Sequence, residues 1–125
     1  MSASPKPRVL MVEDESMLLE VITADLEDAG FGVLQAATAE VAINILRTEA
    51  FVDVLFTDIR LPGQMDGWQL AEAARALRPD LPVIYATGFT QTPPRLIEGS
   101  VLLTKPYRAA AVIKAITAFT APPEA

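Results

Sequence analysis

The chain contains no histidine and no cysteine. Without cysteine it forms no disulfide and no thiolate metal site, which suits the reducing cytoplasm, its expected location. Without histidine it holds no phosphohistidine, no Ser-His-Asp triad and no His-ligated zinc. Any general base must then be Asp, Glu, Lys or Tyr, and any phosphohistidine chemistry needs a histidine on a partner. No apolar run reaches the roughly 18 residues of a membrane span, and residues 1–7 lack the apolar stretch of a secretory signal. No membrane interaction is expected. Positive charge is scarce as well: 10 Lys and Arg stand against 16 Asp and Glu, for a net charge of -6. Such a surface repels phosphate backbones, so no nucleic-acid binding is expected of this chain alone.

What is present suits one soluble domain. The 125 residues are 51% hydrophobic and 21% charged, enough apolar surface for a real core. The sequence predicts a flexible N-terminus over 1–7, one domain over 8–120 and a frayed tail over 121–125, where two prolines stand together.

Short apolar runs alternate with helical periodicities. Val9 to Val12 reads as a buried strand, followed by a helix over 16–29 with Leu18, Val21, Ile22, Leu26 and Ala29 inward and Gly30 as its stop. A second strand covers 32–36. A helix over 38–47 follows, with Thr38 as N-cap and Val41, Ile45 and Leu46 inward. A third strand covers 52–56, a helix 67–77, a fourth strand 82–86, a fifth 101–103 and a last helix 109–119. Apolar strands alternating with helices predict an α/β fold with a parallel sheet covered on both faces. Between Ala86 and Val101 the rhythm breaks at Gly88 and Pro93-Pro94. Only 95–98 look helical, so the fourth helix is expected to be short or mobile.

In parallel sheets, functional groups gather beyond the carboxyl ends of the strands. Here the first strand is followed by Glu13-Asp14-Glu15, the third by Thr57-Asp58, the fourth by Thr87-Gly88 and the fifth by Thr104-Lys105-Pro106. Each residue alone has an ordinary reading: Asp14 as a helix cap, Asp58 as a turn former, Thr87 as a strand-end hydroxyl, Lys105 as solvated surface. Together they form a coherent set. Crowded carboxylates call for a divalent cation, and oxygen-only ligands favour Mg²⁺ or Mn²⁺. Lys105, the Thr87 hydroxyl and the Gly88 amide can hold phosphoryl oxygens. Asp58 is placed to attack phosphorus and form an aspartyl phosphate.

These segments resemble the receiver domain of bacterial two-component response regulators. The resemblance rests on Val9 to Glu15, Leu55 to Gly63, Met65-Asp66-Gly67, Val83 to Gly88 and Leu103 to Pro106, and it runs from about Arg8 to Phe119. It implies a CheY-like (flavodoxin-like) three-layer sandwich: a doubly wound five-stranded parallel sheet, order 2-1-3-4-5, with five helices. It further implies Asp58 as phosphoacceptor and Mg²⁺ held by Asp14 and Asp58, by Glu13 through water and by the backbone carbonyl of Arg60. Thr87 would bond the phosphoryl group, Lys105 would pair with it, and the Lys105-Pro106 peptide would be cis. The donor would be a sensor histidine kinase or a histidine phosphotransfer protein, and the output a contact with a downstream protein. The chain would be a signalling domain rather than an enzyme, catalysing only its own phosphorylation and dephosphorylation.

Three features depart from the usual pattern. Leu102 stands where the fifth strand normally carries a switching aromatic. The span from Thr87 to Lys105 is about one helical turn short. Tyr85 to Phe89 resembles a subclass with a Phe-Ala-Thr-Gly-x-Tyr motif, with Thr90 in place of its last tyrosine. That subclass often has a loose fourth helix, which suggests an order–disorder switch over 88–100 driven by Thr87. On the first helix, Met17, Leu18 and Leu19 cannot all face inward. Met17 and Leu19 are expected nearer solvent beside the acid pocket, as a docking patch for the donor. The runner-up function is a Mg²⁺-dependent phosphohydrolase with an aspartyl nucleophile, disfavoured because Arg60 stands where its second acid would be. A receiver fragment of a larger DNA-binding regulator or hybrid kinase is a further alternative.

Overall fold

The computed structural model describes residues 6–49, 51–88, 97 and 99–120. The elements run β1 (Arg8–Val12), α1 (Ser16–Asp28), β2 (Gly32–Ala36), α2 (Ala39–Thr48), β3 (Val54–Asp58), α3 (Gly67–Leu77), β4 (Val83–Thr87), β5 (Val101–Thr104) and α4 (Ala109–Thr120). All four strand pairs are parallel, and the sheet order is β2-β1-β3-β4-β5. This is the expected doubly wound sheet, with four helices among the described residues. The expected short fourth helix, and most of the proposed switch over 88–100, lie outside the described residues.

The strands bury both faces because their apolar runs are continuous. Leu10, Val12, Leu55, Val83 and Tyr85 point to one side, where Ala39, Ala42, Ile43 and Leu46 of α2 and Leu70, Ala71 and Ala74 of α3 cover them. Val9, Met11, Val54, Phe56, Ile84 and Ala86 point to the other, under Leu19, Ile22 and Leu26 of α1 and Val112 and Ile116 of α4. The period-two alternation thus splits one hydrophobic run into two cores and three layers. Truncating a fully buried leucine such as Leu10 or Leu70 to alanine costs about 2–5 kcal/mol at such sites.

Local chemistry sets the helix starts. The Thr38 hydroxyl accepts from the Val41 amide at 3.1 Å. Asp66 and Gln69 form a capping box: Asp66 Oδ1 accepts from the Gln69 amide at 2.9 Å, and Gln69 Oε1 from the Asp66 amide at 3.0 Å. The first helix ends at Gly30, whose φ of 101° is costly for any residue with a β-carbon.

Several inward assignments shift by one residue. Leu19 is in the core at 9% exposure, not near solvent, while Val21 is 56% exposed. The buried stripe of α1 is Leu19, Ile22 and Leu26, and Leu18 packs at its edge. On α2 the small Ala39 and Ala42 face the sheet with Ile43 and Leu46, and Val41 is 47% exposed. The alanines let the helix approach closely, so the larger valine is not needed on the inner face. Strands β3 and β4 also run later than their apolar runs suggest, so Asp58 and Thr87 are the last residues of their strands.

Candidate phosphoacceptor site

The parallel register brings the four strand ends together. Asp58 pairs across to Ala86, Val12 to Thr57, and Thr87 to Thr104. Glu13, Asp14, Glu15, Asp58, Arg60, Thr87, Gly88 and Lys105 line one cleft of about 460 Å³. All seven residues expected from the sequence are therefore in it, joined by Glu15.

Lys105 is the centre of charge balance. Its Nζ donates to Asp58 Oδ2 at 3.0 Å and stands 3.5 Å from Glu13 Oε1. Burial alone would lower its pKa, but the hydrogen bond and charge of Asp58, with help from Glu13, outweigh burial and raise it. Its backbone is fixed as well, because the Lys105 amide donates to the Thr87 carbonyl at 2.7 Å. The Lys105-Pro106 peptide is cis, as the resemblance implied.

Three carboxylates crowd opposite this ammonium. One oxygen from each of Glu13, Asp14 and Asp58 lies within 4.8 Å of the others. Asp14 is exposed, Asp58 is 6% exposed and Glu13 only 1%. Burial, and then the charges of Asp58 and Asp14, push the Glu13 carboxyl above 4.5, although the Glu15 amide and Lys105 pull the other way. Glu13 Oε2 accepts from the Glu15 amide at 3.1 Å, while Oε1 is buried without a hydrogen bond. The cleft's lining holds four carboxylates, Glu13, Asp14, Glu15 and Asp58, against two cationic residues, Arg60 and Lys105, and Glu13 Oε1 lacks a hydrogen bond. Both facts fit a divalent cation held by oxygen ligands. The residues present therefore suit Mg²⁺, with Asp14 the ligand most open to solvent.

Of two aromatic residues beside these strands, Tyr85 was named in the sequence as the start of the Tyr85–Phe89 motif, and Tyr107 was not singled out. Tyr107, two residues past Lys105, meets Phe56 edge-on with ring centroids 5.4 Å apart. Burial, then the charges of Glu13, Asp58 and Glu15, push its phenol above the ordinary value. Its place after the Lys-Pro pair was the only available hint. Tyr85, fully buried on β4, tilts against Trp68 at 4.5 Å and pairs in register with Leu102. An aromatic thus does lie beside the Leu102 position, contributed by the neighbouring strand.

A five-stranded parallel sheet of this order, with acids, a hydroxyl and a lysine at its carboxyl edge, defines a CheY-like signalling fold. The chain belongs to the response regulator receiver domain family, whose family model matches residues 9–117. It is 39% identical over 90 residues, 72% of its length, to the C4-dicarboxylate transport transcriptional regulatory protein DctD of Rhizobium meliloti. It is 37% identical over 82 residues, 66% of its length, to the response regulator receiver protein CpdR of Brucella abortus. The aligned part spans 19% of DctD and 67% of CpdR. A response regulator receiver protein from Sinorhizobium medicae superposes with a TM-score of 0.85 at 33% identity, covering 91% of this chain and 94% of that one. As a member of this family the chain is a two-component signalling domain. No helix among the described residues is long and apolar enough to cross a membrane.

Proposed function

We propose that the chain is a phosphoacceptor that takes a phosphoryl group onto Asp58 from a phosphohistidine on a sensor histidine kinase or phosphotransfer protein. The observation that carries this reading is the 3.0 Å contact of Lys105 with Asp58, set in a cleft where Glu13, Asp14 and Asp58 converge. In the transfer, an oxygen of Asp58 bonds to phosphorus as the phosphorus–nitrogen bond breaks. The electron pair stays on the departing imidazole.

Mg²⁺ bound by Asp14 and Asp58, with Glu13 through water and the Arg60 carbonyl, would neutralise the converging carboxylates and the incoming phosphoryl charge. The protein's own groups supply the rest. Lys105 exchanges part of its contact with Asp58 for a phosphoryl oxygen. The Thr87 hydroxyl and the Gly88 amide donate to the remaining oxygens. The chain works as a switch in the cytoplasm and catalyses only its own phosphorylation and dephosphorylation. Its output runs through contact with a downstream protein.

The test is direct. Wild type and Asp58→Asn are incubated with a small-molecule phosphodonor and Mg²⁺, and the intact proteins are weighed. Wild type should gain one phosphoryl group and Asp58→Asn none. Equal gain by both would place the acceptor elsewhere.

A further inference from the structure

The loop from Ile59 to Asp66 joins the strand of the proposed phosphoacceptor to α3, and its Arg60 lines the acid cleft. Main-chain bonds fix both ends. The Ile59 amide donates to the Ala86 carbonyl at 3.1 Å, and the Gly67 amide donates to the Ile59 carbonyl at 2.8 Å. Leu61 and Met65 pack at the edge of the core under α2 and α3. The turn between them, Pro62-Gly63-Gln64, is exposed. Turns with few buried contacts open readily, so a hold on this one bears on Arg60 just before it.

That hold comes from another element. Glu40 stands in the first turn of α2, and its Oε2 accepts from the Gln64 amide at 3.2 Å. Its Oε1 lies 2.9 Å from the place a β-carbon at Gly63 would take. Gly63 has a φ of 96°, so the glycine both makes the left-handed turn and leaves room for the carboxylate. An acid in the first turn of a helix has an ordinary role in facing the positive end of the dipole. That role calls for no partner 24 residues further along the chain, and here there is one.

We propose that Glu40 is a positioning residue for the acid cleft: it grips the Gly63-Gln64 turn and so holds Arg60, and the loop side of the cation site, in place. What the cation does there rests on the phosphoacceptor reading above. Glu40 is exposed, and water competes for so exposed a bond. The effect is therefore on where the loop sits rather than on whether the domain folds.

The experiment compares wild type with Glu40→Gln, whose amide oxygen can still accept from Gln64, and with Glu40→Ala, which has no acceptor. In Mg²⁺-free protein the Gln64 amide should exchange with solvent about fivefold faster in Glu40→Ala than in wild type, the scale of one net hydrogen bond. Glu40→Gln should keep most of the protection. Mg²⁺ titration followed on the Asp14 and Asp58 amides should give an affinity about fivefold weaker in Glu40→Ala, the scale on which residues outside a site tune it. Glu40→Gln should again stay near wild type, which ties the effect to the accepting oxygen. Wild-type Mg²⁺ affinity in Glu40→Ala would overturn the positioning role and leave the phosphoacceptor reading standing. Equal losses in Glu40→Gln and Glu40→Ala would also overturn it, by tracing the effect to charge instead of to the bond. A wild type whose amides ignore Mg²⁺ would overturn the cation site, and the positioning role with it.

Discussion

Gly67 packs against the carbonyl of Asp58 so tightly that a β-carbon at Gly67 would collide with that oxygen and lie 2.7 Å from the Ile59 α-carbon. The same residue donates its amide to the Ile59 carbonyl at 2.8 Å. The first turn of α3 is thereby pressed onto the backbone of the proposed phosphoacceptor. Because both obstacles are main chain, neither can swing aside. Gly67→Ala should destabilise the domain by about 2–3 kcal/mol, read as a lower urea midpoint, and should slow phosphorylation. Gly88→Ala is the control. A β-carbon there meets nothing within 4 Å among the described residues, and the change should stay within about 0.5 kcal/mol of stability. Equal losses at both sites would show that the contact of Gly67 with Asp58 does not matter.

The pH dependence of stability should carry the mark of Glu13. Its carboxyl is held above the ordinary 4.5 by burial and by Asp58 and Asp14, so the folded state keeps that proton to higher pH than the unfolded chain does. Its contribution is then fully present below 4.5 and is lost as pH rises through the raised value. In Mg²⁺-free protein the stability of wild type relative to Glu13→Gln should fall across that window. Saturating Mg²⁺ should narrow the deficit, since a cation that binds only the folded state stabilises it by mass action. Urea titrations at a series of pH values, with chelator and with Mg²⁺, check this. Parallel curves for the two proteins would exclude Glu13 as the source.

Much of this site is visible in the chain before folding, and the reason is topological. Asp14, Asp58, Thr87 and Lys105 each lie at or just past the carboxyl end of a parallel strand. Parallel strands in one sheet must deliver those ends to one edge. Helix faces are harder to read. Each residue turns a helix by about 100°, so Leu19 and Leu18, or Val41 and Ala42, trade places with a small phase error. Only packing against the sheet decides which goes inward. Tyr107 and Gly67 are less visible still, because each is defined by a contact with another element: the Phe56 ring against Tyr107 and the Asp58 carbonyl against Gly67. Periodicity carries no record of such contacts.

Lys105 should matter more to chemistry than to folding. Its ammonium bonds Asp58 at 3.0 Å while its side chain stays 25% exposed, so solvent screens part of the attraction. Lys105→Met removes the charge and leaves three carboxylates facing one another. Phosphorylation by a small-molecule donor should slow by about a hundredfold, the scale of losing one charge-stabilising donor. Added Mg²⁺ should not restore it, because a cation held by Asp14 and Asp58 would not take the place of the ammonium that the proposed transfer uses. Stopped-flow measurement of phosphorylation rates at saturating Mg²⁺ would decide. A loss of twofold or less would reduce Lys105 to a structural counter-ion.

Donor recognition can be separated from donor chemistry at Met17. This side chain is 79% exposed, and Val21, one turn further along α1, is 56% exposed. Residues four apart share a helix face, so the two form a small apolar stripe at the end of α1 that starts beside Glu15 and the cleft. Leu19, which the sequence grouped with Met17, belongs to the core and is no part of that surface. If the donor's helices dock on this stripe, Met17→Glu places a charge in an apolar contact. Transfer from the donor phosphohistidine should slow by about tenfold, equivalent to about 1.4 kcal/mol of lost binding. Phosphorylation by a small-molecule donor should be unchanged, since that molecule has no surface to dock. Stability should change by less than about 0.5 kcal/mol, as Met17 supports nothing beneath it. A drop with both donors would mean that the charge disturbs the cleft rather than the docking face. Unchanged transfer from the protein donor would discard the docking claim outright.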